Sequence, residues 1–196
     1  MQKEVVTARN TKSGDAKSGD TKSGEVKVWD IFVRLFHWCL VAAFAGAWLT
    51  GEADRWARIH EWLGYAIAAL VGLRLIWGFI GSRHARLGDF IPGPGGVRSY
   101  LQDMLRGRAR RYLGHNPAGG AMIVLLLAGL LLTAGTGWMT LQGGRLGHFF
   151  EEVHEGLANG MIVLAALHVA GVLVSSLLHR ENLVWAMISG RKRAAE

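Results

Sequence analysis

The chain has 196 residues, of which 51% are hydrophobic, with eight Trp, one Cys and a formal net charge of +7 at pH 7. A single cysteine, Cys39, excludes an internal disulfide and any CxxC metal site, and it is interpreted as a small apolar residue. The positive charge does not indicate nucleic acid, because it is concentrated beside long apolar blocks, where basic residues attract anionic lipid headgroups.

The N-terminal segment is a low-complexity repeat. Residues 11–25 read TKSGD-AKSGD-TKSGE and contain no large apolar side chain before Val26. Such a segment cannot bury enough apolar surface to fold, so residues 1–27 are predicted to form a disordered tail. Residues 28–193 are predicted to form one membrane domain, followed by a short tail at 194–196.

Four apolar blocks follow the tail, and each is long enough to cross a bilayer as a helix. The predicted fold class is therefore all-α, an integral membrane four-helix bundle. The predicted spans cover residues 31–50, 59–80, 121–141 and 153–178.

Two shorter segments are predicted to be helices on the membrane surface. The first covers residues 97–111, with Tyr100, Leu101, Met104 and Leu105 facing lipid. It follows the turn sequence IPGPGG, which no helix crosses. The second covers residues 181–189.

The distribution of basic residues predicts the orientation. The loop from residue 81 to 120 carries seven arginines against two aspartates, and both terminal segments are basic. The other two loops are balanced or acidic. The positive-inside rule then places both termini and this loop in the cytoplasm.

Four histidines within the predicted spans form two pairs of matched depth. His154 and His168 are fourteen residues apart, so on a helix they share one face and are separated by roughly 21 Å. His60 lies at the same end of the bundle as His154, and His37 at the depth of His168. Ionisable residues are costly inside a membrane and usually serve a site.

Two histidines from facing helices suit a planar cofactor with two open axial positions, which is haem. Zinc would require four ligands, and no carboxylate or cysteine lies beside His37 or His168. The pattern therefore predicts two haems per chain, one between His60 and His154 and one between His37 and His168.

Two arginines are candidate contacts for haem propionates. Arg74 lies fourteen residues after His60 and thus near the depth of the His37/His168 pair. A buried arginine needs an anionic partner, but Arg74 is also close enough to the span's end to extend to the interface. Arg34 is the second candidate.

Small residues and the remaining histidines carry weaker signals. Spacings like GxxxG allow either ordinary helix packing or the close approach of a porphyrin; they occur at Gly129, Thr133 and Gly137, and at Gly156 and Gly160. Four further histidines lie in loops or at helix ends and are not expected to bind a cofactor: His84, His115, His148 and His179.

Several sequence motifs resemble those of the bacterial cytochrome b561 family, which is similar to the b-type cytochrome subunit of nickel-iron hydrogenases. The resemblance covers residues 27–193 and leaves the repeat tail unmatched. It rests on VWDIFVRLFHW (28–38), HEWLG (60–64), GLRLIWGFIGSRHAR (72–86), GHNPAGG (114–120), the His154/His168 pair and HRENLVWAMISGRKR (179–193).

This resemblance implies a cytochrome of the bacterial inner membrane with two haems b that exchanges electrons with quinone. The expected partners are the lipid bilayer, quinone and a periplasmic c-type cytochrome or another redox subunit. One alternative is a stand-alone quinone oxidoreductase, for example one that oxidises superoxide, with Arg55 and Arg58 attracting a small anion. The other alternative, a cofactor-free membrane anchor, leaves the matched histidine depths unexplained.

Overall fold

The computed structural model describes residues 24–81, 86, 93–108, 110, 112 and 114–193. Its long helices are α1 (Ile31–Thr50), α2 (Ala57–Ile80), α4 (Pro117–Thr140) and α5 (Gly144–Leu178). The shorter elements are helices α3 (Pro94–Leu105) and α6 (Leu183–Ser189), strands β1 (Glu25–Lys27) and β2 (Arg191–Arg193), and a 3-10 turn at Asp54–Trp56.

The four long helices confirm the predicted number of spans, because each is long and apolar enough to cross a membrane. Helix α1 has the predicted bounds, and its N-cap is Asp30, whose carboxylate accepts a hydrogen bond from the Val33 N–H at 2.8 Å. Helix α4 begins four residues before the predicted position. Asn116 caps it through a 2.7 Å bond from the Gly119 N–H, and Pro117 occupies the first turn.

The last long helix extends beyond the predicted span at its N-terminal end. Helix α5 begins at Gly144 rather than at residue 153 and has 35 residues, a length of roughly 52 Å. The polar residues before 153 interrupt the apolar block without interrupting the helix. Helices α4 and α5 form a tight hairpin, in which a Cβ on Gly147 would lie 2.8 Å from the Thr140 carbonyl oxygen.

The long helices pack in the order α1, α2, α4 and α5, with contacts between each successive pair. Their shared core is small and consists of Ala43, Ile67, Val71, Leu127, Leu130 and Met161. Many large apolar side chains instead lie on the outer surface, as Phe79 and Leu177 do. An apolar exterior of this kind suits a lipid environment.

The two ends of the bundle are built differently. The α1–α2 and α4–α5 turns lie together at one end, which we call the hairpin end. At the opposite end, the termini end, β1 pairs with β2 in an antiparallel register that places Val26 opposite Lys192. The N–H groups of Val28 and Trp29 donate to the Gly190 carbonyl at 2.9 and 3.1 Å.

This strand pair changes the expected boundary of the tail. Residues 1–23 and 194–196 of the predicted tails lie outside the described residues, but Glu25–Lys27 form a strand. The Lys192 ammonium lies 5.6 Å from the centroid of the Trp29 ring, and the His115 ring lies 4.6 Å from it. The strand pair and these rings therefore join the N-terminal segment, the C-terminal segment and the segment before α4.

Helix α3 also differs from the prediction, which placed Tyr100 against lipid. Tyr100 is buried, and its ring contacts that of Tyr112. Burial, together with the neighbouring Tyr112, raises the pKa of Tyr100 above its usual value. Leu101 and Leu105 are exposed, so the helix directs one face towards the protein and leaves these leucines on its outer side.

Candidate functional site

The structure brings His60 of α2 and His154 of α5 together at the hairpin end. Their ring centroids are 5.9 Å apart, and the ring planes are nearly perpendicular, at 88°. Both side chains are partly buried. The long α5 helix positions His154, whereas His60 lies in the first turn of α2, directly after the α1–α2 turn.

Each of these imidazoles is oriented by a backbone carbonyl. The Nδ1 atom of His60 lies 2.8 Å from the Ala47 oxygen, and Nδ1 of His154 lies 2.8 Å from the Thr133 oxygen. A carbonyl oxygen only accepts, so each Nδ1 must carry the proton. In the neutral ring Nε2 then holds the lone pair, which is the arrangement of a histidine ready to ligate a metal.

A glycine lies against each ring, but only Gly137 leaves room that a Cβ would fill. A Cβ on Gly137 would lie 2.9 Å from Cε1 of His154, too close for the ring to stay in place. A Cβ on Gly51 would lie 3.5 Å from Cε1 of His60, an ordinary contact. Among the predicted small-residue positions, Gly137 is therefore closely packed, whereas nothing lies within 4 Å of a Cβ on Gly156 or Gly160.

The second predicted pair, His37 of α1 and His168 of α5, lies towards the termini end. Both side chains are partly buried, and they are close enough to interact electrostatically. The His37 ring contacts Trp38 edge-on, with centroids 5.1 Å apart. Among the described residues, the buried Nδ1 of His37 has no hydrogen-bond partner. This pair is therefore less firmly oriented by the protein than the pair at the hairpin end.

Arg74 is buried near the termini end, with 3% of its surface exposed. Its charge interacts with that of Asp30, whose carboxylate also accepts a 3.2 Å hydrogen bond from Trp77 Nε1. The side chain does not extend to solvent, as the interfacial alternative would require. A protein carboxylate thus supplies an anionic partner that the sequence interpretation did not identify.

Arg34 lies at the junction of α1 and α6. Its guanidinium donates a hydrogen bond to the Ile188 carbonyl, and a Cβ on Gly190 would lie 3.3 Å from its Nη1. Arg34 therefore attaches the C-terminal segment to α1. Its predicted contact with a propionate remains a proposal.

The other candidate residues are separate from the paired histidines. His115 contacts Trp29, His148 forms a 3.0 Å pair with Glu151, and His179 caps α5. His84 lies outside the described residues. Arg55 and Arg58 are exposed near His60, with the Arg55 guanidinium 5.5 Å from the Trp56 ring centroid.

The donor set can be compared with the needs of metals and cofactors. Within the described ranges, no three or more His, Cys, Asp or Glu side chains come together as a metal site, so a zinc centre built from protein ligands is not supported there. Two Nδ1-protonated imidazoles on facing helices meet the need of a haem for two axial nitrogens. The hairpin-end residues therefore fit haem, and Gly137 leaves the space that the His154 ring occupies.

Comparison with known proteins gives an independent indication. The sequence profile described as prokaryotic cytochrome b561 matches residues 28–190. The chain is 25% identical to a probable Ni/Fe-hydrogenase B-type cytochrome subunit of Rhizobium leguminosarum bv. viciae, covering 84% of this chain and 87% of the relative. It is 26% identical to a protein of the same description from Azotobacter vinelandii, covering 93% and 94%.

Proposed function

The chain belongs to the prokaryotic cytochrome b561 family, and on that premise we propose that it is a membrane electron carrier with two haems b. His60 and His154 would ligate one haem, and His37 and His168 the other. The family and the four apolar helices support electron transfer in a bacterial membrane. The number of haems and their ligands are part of the proposal.

The orientation of the hairpin-end histidines is the observation that carries this proposal. Both donate Nδ1–H to a carbonyl at 2.8 Å, and such bonds fix the ring and raise the basicity of the ligating nitrogen. Gly137 supports the same orientation, because a Cβ at this position would displace the His154 ring.

A bound haem supplies reversible one-electron chemistry, and the protein's contribution is to hold it and control its surroundings. The four histidines would hold the two haems through ring nitrogens, and ligation by protein groups alone would disfavour oxygen binding and favour electron transfer. Arg74 and Arg34 would contribute positive charge near the His37/His168 pair. The apolar core of the bundle would exclude water from the space between the two histidine pairs.

The proposed electron path runs across the membrane between a periplasmic donor and the quinone pool. Basic segments at the termini end support a cytoplasmic position for both termini, which leaves the hairpin end on the periplasmic side. The relatives are named as hydrogenase subunits, which supports a partner redox subunit as the donor, and a c-type cytochrome is the other donor class.

The decisive experiment is a reduced-minus-oxidised optical spectrum of the detergent-purified full chain, with haem counted per chain. The wild type should contain about two haems b, and His154→Ala and His168→Ala should each retain about one. His148→Ala is the matched control, because this exposed histidine pairs with Glu151 and belongs to neither of the two histidine pairs, and it should retain both haems. A folded wild-type chain without haem would contradict the proposal.

A second measurement tests the proposed acceptor. Oxidised protein in proteoliposomes should be reduced by a short-chain quinol, and reduced protein should be reoxidised by the quinone. Superoxide supplied at the hairpin end tests the enzyme alternative, and there Arg55→Gln with Arg58→Gln should slow reduction. Reduction by superoxide without any reaction with quinone would contradict the proposed carrier role.

A further inference from the structure

Each histidine at the hairpin end contacts a segment with the same three features. A carbonyl accepts its Nδ1–H, a threonine follows three residues later, and a glycine that packs against the ring follows four residues later. The parts are Ala47, Thr50 and Gly51 for His60, and Thr133, Thr136 and Gly137 for His154.

Each threonine hydroxyl shares its one proton between the carbonyl that the histidine uses and the carbonyl one residue earlier. Thr136 Oγ1 lies 3.0 Å from the Thr133 oxygen and 2.9 Å from the Leu132 oxygen. Thr50 Oγ1 lies 3.2 Å from the Ala47 oxygen and 2.7 Å from the Gly46 oxygen. Two helices in different hairpins thus place a hydroxyl donor beside an imidazole donor on one acceptor.

Two donors on one carbonyl oxygen compete for its electron density, so each hydrogen bond is weaker than it would be alone. A weaker Nδ1–H bond makes the imidazole a less basic ligand. A less basic ligand stabilises oxidised iron less, and second-shell hydrogen bonding is one of the means by which a protein sets a haem potential.

We propose that Thr50 and Thr136 are positioning residues that weaken the Nδ1–H bonds of His60 and His154 and thereby raise the reduction potential at this pair. The hydrogen-bond part depends only on the structure, whereas the effect on the potential rests on the proposed function. The two parts can therefore be tested separately.

Back-bonding by threonine is common in helices and needs no functional reason. Helix α4 contains an example that serves as a matched control. Thr140 Oγ1 donates to the Gly137 oxygen at 2.7 Å, one turn beyond Thr136, and that carbonyl is not the acceptor of His154. Thr140→Val removes the same kind of bond from the same helix.

The first experiment measures the Nδ1–H proton shift by NMR on the full chain, labelled with ¹⁵N-histidine and kept reduced. Thr136→Val should move the His154 Nδ1–H signal downfield, because the carbonyl then has a single side-chain donor. Thr136→Ser, which keeps the hydroxyl, and Thr140→Val should leave it in place. Thr50→Val should move the His60 signal by a smaller amount, since its hydroxyl lies farther from the shared oxygen.

The second experiment measures the midpoint potential by optical redox titration. Thr136→Val should lower the equilibrium constant for reduction about threefold, or ~28 mV at 59 mV per tenfold change for one electron, with the serine variant unchanged. Equal shifts in the serine or Thr140→Val variants, or no proton shift in Thr136→Val, would overturn the inference. Absence of haem would instead defeat the proposed function, and the NMR result would still decide the role of the threonines.

Discussion

The two histidine pairs of this bundle are prepared to different degrees. At the hairpin end, His60 and His154 each have a carbonyl partner at 2.8 Å, and Gly137 leaves room for the His154 ring. Nearer the termini end, the His37 Nδ1 is buried without a hydrogen-bond partner among the described residues. The hairpin-end pair is therefore organised by the helices themselves.

The charged groups are distributed in the opposite way. The interior near the termini end contains Arg74 and Asp30, and the buried Lys192 of β2 and Glu181 before α6 lie at the same end. Around His60 and His154 the orienting groups are neutral carbonyls and hydroxyls. Two haems in these surroundings would experience different fields, and such a difference is one means of separating their potentials.

Gly137→Ala is expected to have the largest effect, because it would remove the orientation that distinguishes the hairpin-end pair from the other pair. The new Cβ would lie 2.9 Å from Cε1 and 3.0 Å from Nδ1 of His154, so the ring must leave its carbonyl. We expect the haem content to fall from about two per chain towards one, measured by the optical spectrum and by iron analysis.

Two other glycines provide the controls for that substitution. Gly135 lies two residues away with nothing within 4 Å of an added Cβ, and at Gly51 the nearest ring atom would lie at 3.5 Å. Gly135→Ala and Gly51→Ala should therefore retain both haems. Equal haem loss in all three variants would show that general helix packing, rather than the space at Gly137 beside the His154 ring, is responsible.

The next largest effect concerns Asp30 near the other pair. Asp30→Ala removes the helix cap, the acceptor of Trp77 Nε1 and the charge facing Arg74. Loss of an N-cap costs about 1 kcal/mol, and loss of the hydrogen bond from Trp77 adds to it, so we expect the free energy of unfolding to fall by about 2 kcal/mol, measured by SDS titration.

Asp30→Asn separates the contributions within that loss. Asparagine is an equally good N-cap and retains a hydrogen-bond acceptor, so this variant loses chiefly the charge facing Arg74. We expect it to be more stable than Asp30→Ala and less stable than the wild type. An alanine variant as stable as the wild type would show that Asp30 does not support the interior at this end.

The sequence was sufficient to predict features that depend on composition and helical period. The four spans follow from apolar blocks, and the depths of His60 and His154 follow from the rise of a helix. The beginning of α5 did not follow, because residues 144–152 include the charged Arg145, Glu151 and Glu152 yet continue the helix. The length of an apolar block indicates the part of a helix that can lie in the membrane, and the helix itself can be longer.

Features that depend on backbone acceptors or distant pairing were beyond sequence reasoning. Any residue has a carbonyl, so nothing in the letters marks Ala47 or Thr133 as the acceptor of a histidine. The Thr-Gly dipeptides at 50–51 and 136–137 are the one available signal. The pairing of β1 with β2 joins residues more than 160 positions apart, and the proximity of Asp30 to Arg74 likewise depends on how the helices pack.

A smaller effect is expected from Arg34→Gln, which tests how the C-terminal segment is attached near the His37/His168 pair. The change removes a charged donor to the Ile188 carbonyl, and hydrogen bonds to charged groups contribute about 1.5 kcal/mol or more. Hydrogen exchange of the α6 and β2 amides should therefore become faster. If the potential of one haem also falls, the additional role of Arg34 towards a propionate is supported; unchanged exchange would contradict the attachment role.

The smallest effect is expected from Lys192→Met, which keeps the apolar stem but removes the ammonium near Trp29. Its distance of 5.6 Å from the ring centroid is within cation–π range, where the contribution is about 0.5–1 kcal/mol, and more where the charge is desolvated. The Val28 and Trp29 amides, which donate to Gly190, should exchange a few times faster, while the Nδ1–H signals of His60 and His154 stay unchanged. Lys27→Met on the exposed strand β1 is the control. Because the hairpin-end pair is organised by its own helices, a change in its signals on loss of Lys192 would show that the two ends are coupled.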